Sequence, residues 1–225
     1  MKKFLSLLLV LLMSTVPALA EDAQVYVSIS DDTGALVLAY EAIAVTDADA
    51  DGALTIYDAL ACAHAAKHEN GAEAFLAEET EYGLSLMKLW GVENGGSYGY
   101  YLNDASAWSL LDPVQPGDHV KSYAFTDLAA WSDAYSFFAA PAAEATVGAE
   151  VALCLSAAGY DEAWNPVTLA VEGASITVNG EACGVVTDAE GKAVLTFDQP
   201  GVYVVSAVSE NQTLVPPVCR VTVAE

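Results

Sequence analysis

Basic residues are scarce in this sequence of 225 residues. It contains seven Lys and Arg against 31 Asp and Glu, which gives a formal net charge of −24 at pH 7. Because nucleic acids and anionic membranes are bound through clusters of Lys and Arg, the composition argues against both as partners. The excess of carboxylates favours bound cations or serves solubility, and the charge alone does not distinguish the two.

Long hydrophobic runs are confined to the N-terminus. Lys2 and Lys3 precede an apolar run over residues 4–13, and small residues around Ala18 and Ala20 form a cleavage site. The run is too short to span a bilayer, and no later segment is long enough either. We therefore predict a signal peptide over residues 1–20 and no membrane insertion after its removal. The mature protein is expected to be extracellular, at the cell surface or periplasmic.

The motifs of common catalytic sites are absent as well. No Gly-x-Ser-x-Gly elbow, phosphate-binding loop or His-Glu-x-x-His pattern occurs in the sequence. Cys62 falls in the middle of a predicted helix, away from the helix N-terminus or the cationic neighbours that activate a thiol, and we interpret it as a small core residue. We predict that the protein is not an enzyme.

Cysteines are few. The four are Cys62, Cys154, Cys183 and Cys219. An oxidising compartment makes a disulfide plausible, but three of the four lie in the C-terminal third, so at least one stays odd there unless the two halves are bridged. The pairing does not follow from the sequence.

Residues 47–58 have the pattern of an EF-hand-like calcium loop. In a twelve-residue loop, positions 1, 3 and 5 supply side-chain oxygens, position 7 a backbone carbonyl and position 12 a closing carboxylate, while Gly at position 6 makes the turn. The predicted ligands are Asp47, Asp49, Asp51, the carbonyl of Ala53, and Asp58. Position 12 is Asp instead of Glu, whose longer side chain closes the shell more easily, so we expect modest affinity. The alternative is an acidic turn in which Thr55 and Asp58 act only as a capping box.

The pattern of strands and helices divides the mature chain into two predicted domains, residues 21–138 and 139–225. In the first, Thr55 begins a helix of about fourteen residues, and a looser acidic stretch around Glu78 follows it. Strands are predicted at residues 24–29, 35–45, 84–92, 98–103 and 119–125. One helix crossing a mixed sheet in the order ββ-α-βββ is the β-grasp pattern of the α+β class.

The second predicted domain follows an Ala- and Pro-rich spacer at residues 139–144. Beyond the spacer, short strands alternate with turns such as Asn179-Gly180 every eight to twelve residues. This spacing predicts an all-β sandwich of the immunoglobulin type.

Several segments carry a family likeness. They are the Asp loop running into Ala59-Leu60, Trp90-Gly91, the Gly- and Tyr-rich run 96–103, and Gly117-Asp118. In this order, over residues 23–127, they resemble a bacterial domain-of-unknown-function family related to the C-terminal β-grasp domain of transcobalamin and intrinsic factor. Residues 187–204 look like bacterial immunoglobulin-like surface modules. The resemblance implies a binding module, with cobalamin or a related corrinoid as its ligand.

The aromatic residues after the helix are the candidate ligand contacts. The set is Trp90, Tyr98, Tyr100, Tyr101 and Asn103. Tyr98 and Tyr100 share one face of their strand, beside glycines that leave room for a planar or sugar ligand. The alternative is that these rings pack against the helix, since strand alternation places aromatic side chains inside a fold in any case.

His64 and His68 stand four residues apart on the predicted helix, a spacing that suits zinc. No third ligand has a fixed position relative to them, so a solvated side of the helix is the favoured interpretation.

The sequence therefore predicts a secreted, calcium-stabilised protein that binds a small-molecule or surface ligand. The alternative is a structural cell-surface or adhesion module that binds protein or glycan partners.

Overall fold

The computed structural model describes residues 23–225, so the predicted signal peptide lies outside the described residues. The described chain forms seventeen strands, one α-helix and one short 3-10 helix. Within residues 23–225 no helix is long and apolar enough to cross a membrane.

We refer to the elements up to β7 as the N-terminal half and to β8 onwards as the C-terminal half. The N-terminal half comprises β1 (Ala23–Ser30), β2 (Leu36–Val45), α1 (Ile56–Lys67), the 3-10 helix (Gly71–Ala74), β3 (Leu76–Thr80), β4 (Gly83–Lys88), β5 (Tyr98–Leu102), β6 (Ala105–Ser106) and β7 (His119–Ala124). The C-terminal half comprises β8 (Ala134–Phe138), β9 (Ala142–Thr146), β10 (Glu150–Tyr160), β11 (Pro166–Ala170), β12 (Ser175–Val178), β13 (Glu181–Val186), β14 (Lys192–Thr196), β15 (Gly201–Val208), β16 (Leu214–Val215) and β17 (Cys219–Ala224).

The N-terminal half is built on a five-stranded sheet in the order β2-β1-β7-β5-β6. β1 pairs antiparallel with β2 and parallel with β7. Helix α1 contributes Ile56, Leu60 and Ala63 to the core beside this sheet, and all three are fully buried. A capping box of Thr55 and Asp58 begins the helix.

The predicted α+β β-grasp class is wrong. The described part of the chain is mostly β, with 51% of residues 23–225 in strands and 8% in helices. The strand predicted at residues 84–92 ends at Lys88, because Leu89 and Val92 pair across a tight turn in which Trp90 has a φ of 51°. The acidic stretch around Glu78 forms β3, which pairs with β4 as a separate two-stranded sheet.

The C-terminal half is a sandwich of two five-stranded sheets. One has the order β11-β10-β8-β16 with β14 also paired to β10, and the other has the order β13-β12-β15-β17-β9. Alternate residues of their strands point inwards, and Leu155, Ile176, Val205 and Val221 are fully buried between the sheets. Because inward-facing and outward-facing residues alternate along each strand, the inward-facing side chains of the two sheets pack together and form the core.

The second half of the predicted spacer at residues 139–144 belongs to a strand. β9 pairs in parallel with β17, and its Ala143 and Ala145 pack against the sandwich core. β8, which precedes the spacer, pairs with β10 and so belongs to the sandwich. The division into independent domains at residues 138 and 139 stays a prediction.

The contacts that join the halves include a ring stack, a hydrogen bond and a salt bridge. The rings of Tyr101 and Tyr135 stack with centroids 3.4 Å apart. The buried Lys121 ammonium donates to the Ser136 carbonyl at 2.7 Å. A salt bridge links the Glu41 and Arg220 side chains at 2.9 Å. All four cysteines, each within the described residues, are free, so the pairs of strands and these contacts hold the chain together without a disulfide.

Candidate functional site

The acidic loop brings three carboxylates together. Oxygens of Asp47, Asp49 and Asp58 lie within 4.8 Å of one another. Asp58 is fully buried in the first turn of α1, whereas Asp49 is exposed at the mouth of the loop. The residues converge because the chain turns back on itself between the end of β2 and the start of the helix.

Asp58 ties both ends of the loop. Its Oδ2 accepts the Thr55 N–H at 2.9 Å and the Thr55 hydroxyl at 2.8 Å, and its Oδ1 accepts the Ala48 N–H at 2.7 Å. The capping box is therefore present, and the same carboxylate also belongs to the three-residue acidic group. Oδ1, which accepts a single hydrogen bond, keeps lone-pair capacity for a cation.

The turn itself is shaped by the other aspartates. Asp47 accepts the N–H groups of Asp51 at 3.1 Å and Gly52 at 2.9 Å. Gly52 has a φ of 91°, a conformation that glycine adopts readily. Asp51 accepts the N–H of its neighbour Ala53 at 2.8 Å and lies outside the group of three carboxylates.

The donor set fits a hard cation such as calcium, because the converging ligands are all oxygens. The pKa of Asp49 is raised, first by desolvation and then by the negative charges of Asp51 and Asp58. Carboxylates that repel one another in this way would be stabilised by a bound cation.

The five predicted ligand contacts are spread over the N-terminal half and its border with the sandwich. Trp90 packs against the His64 and His68 rings, at centroid distances of 5.1 and 4.8 Å. Tyr101 stacks on Tyr135 in the contact between the halves. Asn103 lies in the turn after β5, where its side chain donates to Asp118 and accepts the His119 N–H.

Tyr98 and Tyr100 do lie together, as their spacing in the strand predicted. Both are half-buried at the edge of the core. The Tyr98 hydroxyl lies 2.9 Å from the Met87 carbonyl and 2.8 Å from the Val92 carbonyl, and burial raises its pKa. These two tyrosines serve packing and also present part of their surface to a groove.

That groove has a volume of about 730 Å³ and is bordered by Tyr82, Tyr98, Tyr100 and Trp108. Tyr82 is 89% exposed and Trp108 is 95% exposed. We call the groove bordered by these four side chains the aromatic groove. Sequence reasoning missed Tyr82, although its place between Glu81 and Gly83 in a turn is a signal for an exposed aromatic ring.

A chain of backbone hydrogen bonds connects the acidic loop to the aromatic groove. Residues 54–57, at the exit of the loop, pair with residues 110–114. The Tyr57 N–H donates to the Leu110 carbonyl at 2.8 Å, and the Ile56 N–H donates to the Asp112 carbonyl at 3.0 Å. The Asp112 carboxylate in turn accepts the Trp108 N–H at 2.8 Å. The backbone of Trp108 is thus held by a segment that the loop supports.

The two helix histidines do not form a solvated face. His64 is fully buried, its Nδ1–H donates to the Leu60 carbonyl at 2.6 Å, and its Nε2 accepts the Trp90 N–H at 2.8 Å. Burial lowers the pKa of His64 to about 4. His68 Nδ1 accepts the Asn70 N–H. Because both nitrogens of His64 are engaged, the zinc spacing is not used for metal binding.

Ser28 and His119 form a further pair that the sequence did not reveal. The Ser28 hydroxyl lies 2.9 Å from His119 Nε2 and accepts the Tyr40 N–H at 2.9 Å. Burial lowers the pKa of His119 to about 3. Both side chains are buried, so a substrate has no access to the hydroxyl.

Comparison with known proteins gives no family. No family model matches the chain, and no curated protein matches it. Among solved structures, the N-terminal Ig1-2 module of the Drosophila receptor protein tyrosine phosphatase DLAR is 12% identical with a TM-score of 0.29, over 70% of this chain and 82% of that chain. The teleost fish polymeric Ig receptor ectodomain is 11% identical with a TM-score of 0.22, over 70% of this chain and 77% of that chain.

Both are immunoglobulin-type proteins. Their TM-scores are too low to carry an argument about fold or function. Neither comparison supports the resemblance to the C-terminal domain of transcobalamin.

Proposed function

We propose that this protein is a secreted, non-enzymatic binding protein in which calcium holds the acidic loop and the aromatic groove contacts the ligand. The observation that carries the proposal is the position of Trp108, which is 95% exposed at the groove and tied through Asp112 to the segment that pairs with the loop exit. An exposed indole on a supported backbone is a typical anchor of a binding site.

The aromatic groove suits a flat, partly apolar ligand. Tyr82 and Trp108 offer ring faces to solvent, and Tyr98 and Tyr100 form the inner wall. Aromatic rings contribute large contact areas and lose little side-chain freedom on binding. A corrinoid, the ligand implied by the family resemblance, has a broad ring with amides at its rim and is the first ligand to test.

Calcium would act on the groove indirectly. An ion shared by Asp47, Asp49 and Asp58 would fix residues 54–57, and these hold residues 110–114 through backbone hydrogen bonds. A rigid groove pays less conformational entropy when a ligand binds. Removal of calcium is therefore expected to weaken ligand binding without touching any contact residue.

The test is a titration of cobalamin and cobinamide into wild type, Trp108→Ala and Trp164→Ala, followed by corrin absorbance. Trp164 is 81% exposed on the C-terminal half and serves as the matched control. Loss of a central aromatic contact removes about 2 kcal/mol, so Trp108→Ala should bind roughly thirtyfold more weakly. Absence of saturable binding below about 0.1 mM discards the corrinoid. Equal weakening by both substitutions discards the groove.

A second candidate function is a structural or adhesion module that contacts protein or glycan partners. It is favoured by Trp131 and Trp164, which are 62% and 81% exposed and do not line the groove. Exposed apolar side chains of this size are common in surfaces that bind macromolecules. Retention by isolated cell wall that is lost in Trp131→Ala and kept in Trp108→Ala would favour this function.

A further inference from the structure

A second aromatic cleft lies between the two halves, away from the aromatic groove. It has a volume of about 550 Å³ and is formed by β5 and β6 on one side and by β8, β10 and β11 on the other. The residues that matter for its chemistry are Tyr101, Tyr123, Tyr135, Phe137, Tyr160 and Asp104. We call it the inter-half cleft. Clefts between domains are common positions for binding sites.

Behind the inner wall of the inter-half cleft, the ring of Tyr135 already contacts a buried basic group that does not itself line the cleft. The ammonium of Lys121 lies 4.6 Å from the centroid of the Tyr135 ring, and Tyr101 stacks on that ring. The Tyr135 hydroxyl donates to the Asp104 carboxylate at 2.6 Å. Electron-rich aromatic faces attract ammonium and guanidinium groups, and a neighbouring carboxylate adds to the attraction.

The outer lip of the cleft is the hairpin between β10 and β11. Tyr160 and Trp164 are 65% and 81% exposed there, with ring centroids 6.1 Å apart. The turn is fixed by Asp161, whose carboxylate accepts the N–H groups of Ala163 and Asn165 at 2.8 Å each. Trp164 has a φ of 63°, a strained conformation for a bulky residue. Such strain is found preferentially at sites of function.

The charges of the cleft select the sign of the ligand. Among the described residues that line it, Asp104 and Asp133 are acidic and none is Lys or Arg. Both Asp133 oxygens accept hydrogen bonds from residues 126 and 127, so Asp104 is the carboxylate left to meet a ligand. The whole protein, with a formal net charge of −24, attracts cations over longer distances.

We infer that the inter-half cleft binds a basic side chain of a peptide or protein partner, with its cationic group against the rings of Tyr101 and Tyr160 and beside Asp104. The inter-half cleft and the aromatic groove are separate sites, because they share no residue. The inference therefore stands or falls independently of the proposed function.

The test compares two small probes on the full mature chain by heteronuclear NMR. N-acetyl-arginine amide carries the guanidinium, and N-acetyl-citrulline amide has nearly the same shape without the charge. The arginine probe should give saturable shifts at Tyr160 and Asp104, and the citrulline probe should bind at least about fivefold more weakly. Equal binding of both probes would overturn the inference.

Three variants distinguish the cleft from general electrostatic attraction. Asp104→Asn removes one negative charge and keeps an acceptor for Tyr135, while Tyr160→Ala removes an exposed ring. Glu210→Gln removes one negative charge at an exposed position that does not line the cleft. Asp104→Asn and Tyr160→Ala should each weaken binding of the arginine probe about fivefold, and Glu210→Gln should leave it unchanged. Equal effects of Asp104→Asn and Glu210→Gln, or no effect of Tyr160→Ala, would show that the cleft is not the site.

Discussion

The Asp58 carboxylate accepts both the backbone N–H and the hydroxyl of Thr55, at 2.9 and 2.8 Å. The residue predicted to close a calcium loop is therefore also the residue that begins helix α1. Substitution of Asp58 would change the helix and the loop together. Asp49, which is exposed and accepts only the Asp51 N–H at 3.3 Å, is the better position at which to isolate the effect of a bound ion.

The first prediction concerns calcium. Millimolar calcium should raise the free energy of unfolding of wild type by about 1 kcal/mol. For a protein of this size, that corresponds to a rise in melting temperature of roughly 2–4 °C. Magnesium at the same concentration should have a smaller effect, because it gives up its waters reluctantly. Differential scanning calorimetry of Asp49→Asn should show little response to calcium.

Glu79→Gln is the control for the loss of one negative charge, since Glu79 is exposed on β3, away from the acidic loop. Its response to calcium should equal that of wild type. Identical melting of wild type in calcium and in chelator would rule out the ion.

The second prediction isolates the structural role of Asp58. In chelator, Asp58→Ala should destabilise the protein by about 2–3 kcal/mol, because it removes the cap and leaves the N–H groups of Ala48 and of the buried Thr55 without their acceptor. Thr55→Ala removes only the hydrogen bonds of the Thr55 hydroxyl and should destabilise the protein by about 1 kcal/mol. Urea denaturation of both variants gives the two values. If Asp58→Ala were less stable than wild type only in calcium, the hydrogen bonds of Asp58 would contribute nothing to stability.

The acidic loop was predictable because its signal is local. Five oxygen positions, a glycine and the Thr55–Asp58 box all fall within twelve residues, and the structure brings three of the carboxylates together. The position of a tyrosine in a strand was predictable for the same reason, since alternation separates Tyr100 from Tyr101. What covers each face was not predictable.

Contacts between distant segments account for the rest. Tyr101 is covered by Tyr135, and the alanines of β9 are covered only because β17 returns beside them. A run such as residues 139–144 has the composition of a linker when it is considered alone. β3 was missed because its exposed Glu78 and Glu79 hide the strand pattern, and the β-grasp interpretation failed with it.

The third prediction uses the buried His64. Its folded pKa is about 4, below the value of about 6.5 in the unfolded chain. The unfolded state therefore takes up a proton first, and stability is lost as pH falls from 6.5 towards 4. Between pH 7 and pH 5 the contribution of His64 should amount to about 2 kcal/mol.

Urea denaturation at pH 7 and pH 5 measures this loss. His64→Gln should be less stable than wild type at pH 7, because the Trp90 N–H loses its partner. Its stability should nevertheless fall less than that of wild type between pH 7 and pH 5. Ala65→Gln, on the exposed side of the same helix, should follow wild type. Parallel pH dependences of His64→Gln and wild type would contradict the neutral, buried imidazole.

The last prediction concerns Lys121, which lies where the two halves meet. Its ammonium is buried, donates to the Ser136 carbonyl and lies over the Tyr135 ring. Burial lowers its pKa to about 7, although the charge of Asp104 acts in the opposite direction. In the unfolded chain the same group has a pKa near 10.4, so between these values the unfolded state binds more protons.

Stability should therefore rise as pH increases from 7 to 9, and Lys121 alone should contribute about 2 kcal/mol to that rise. Lys121→Met removes the titrating group while filling much of the same volume, so its stability should depend less on pH over this range. Lys192→Met, at an exposed position of β14, should keep the wild-type dependence. Urea denaturation at pH 7, 8 and 9 under reducing conditions compares the three proteins. Should Lys121→Met retain the full rise, the ammonium would have to reach water in the folded protein, and the contact between the halves would be looser than its 2.7 Å hydrogen bond indicates.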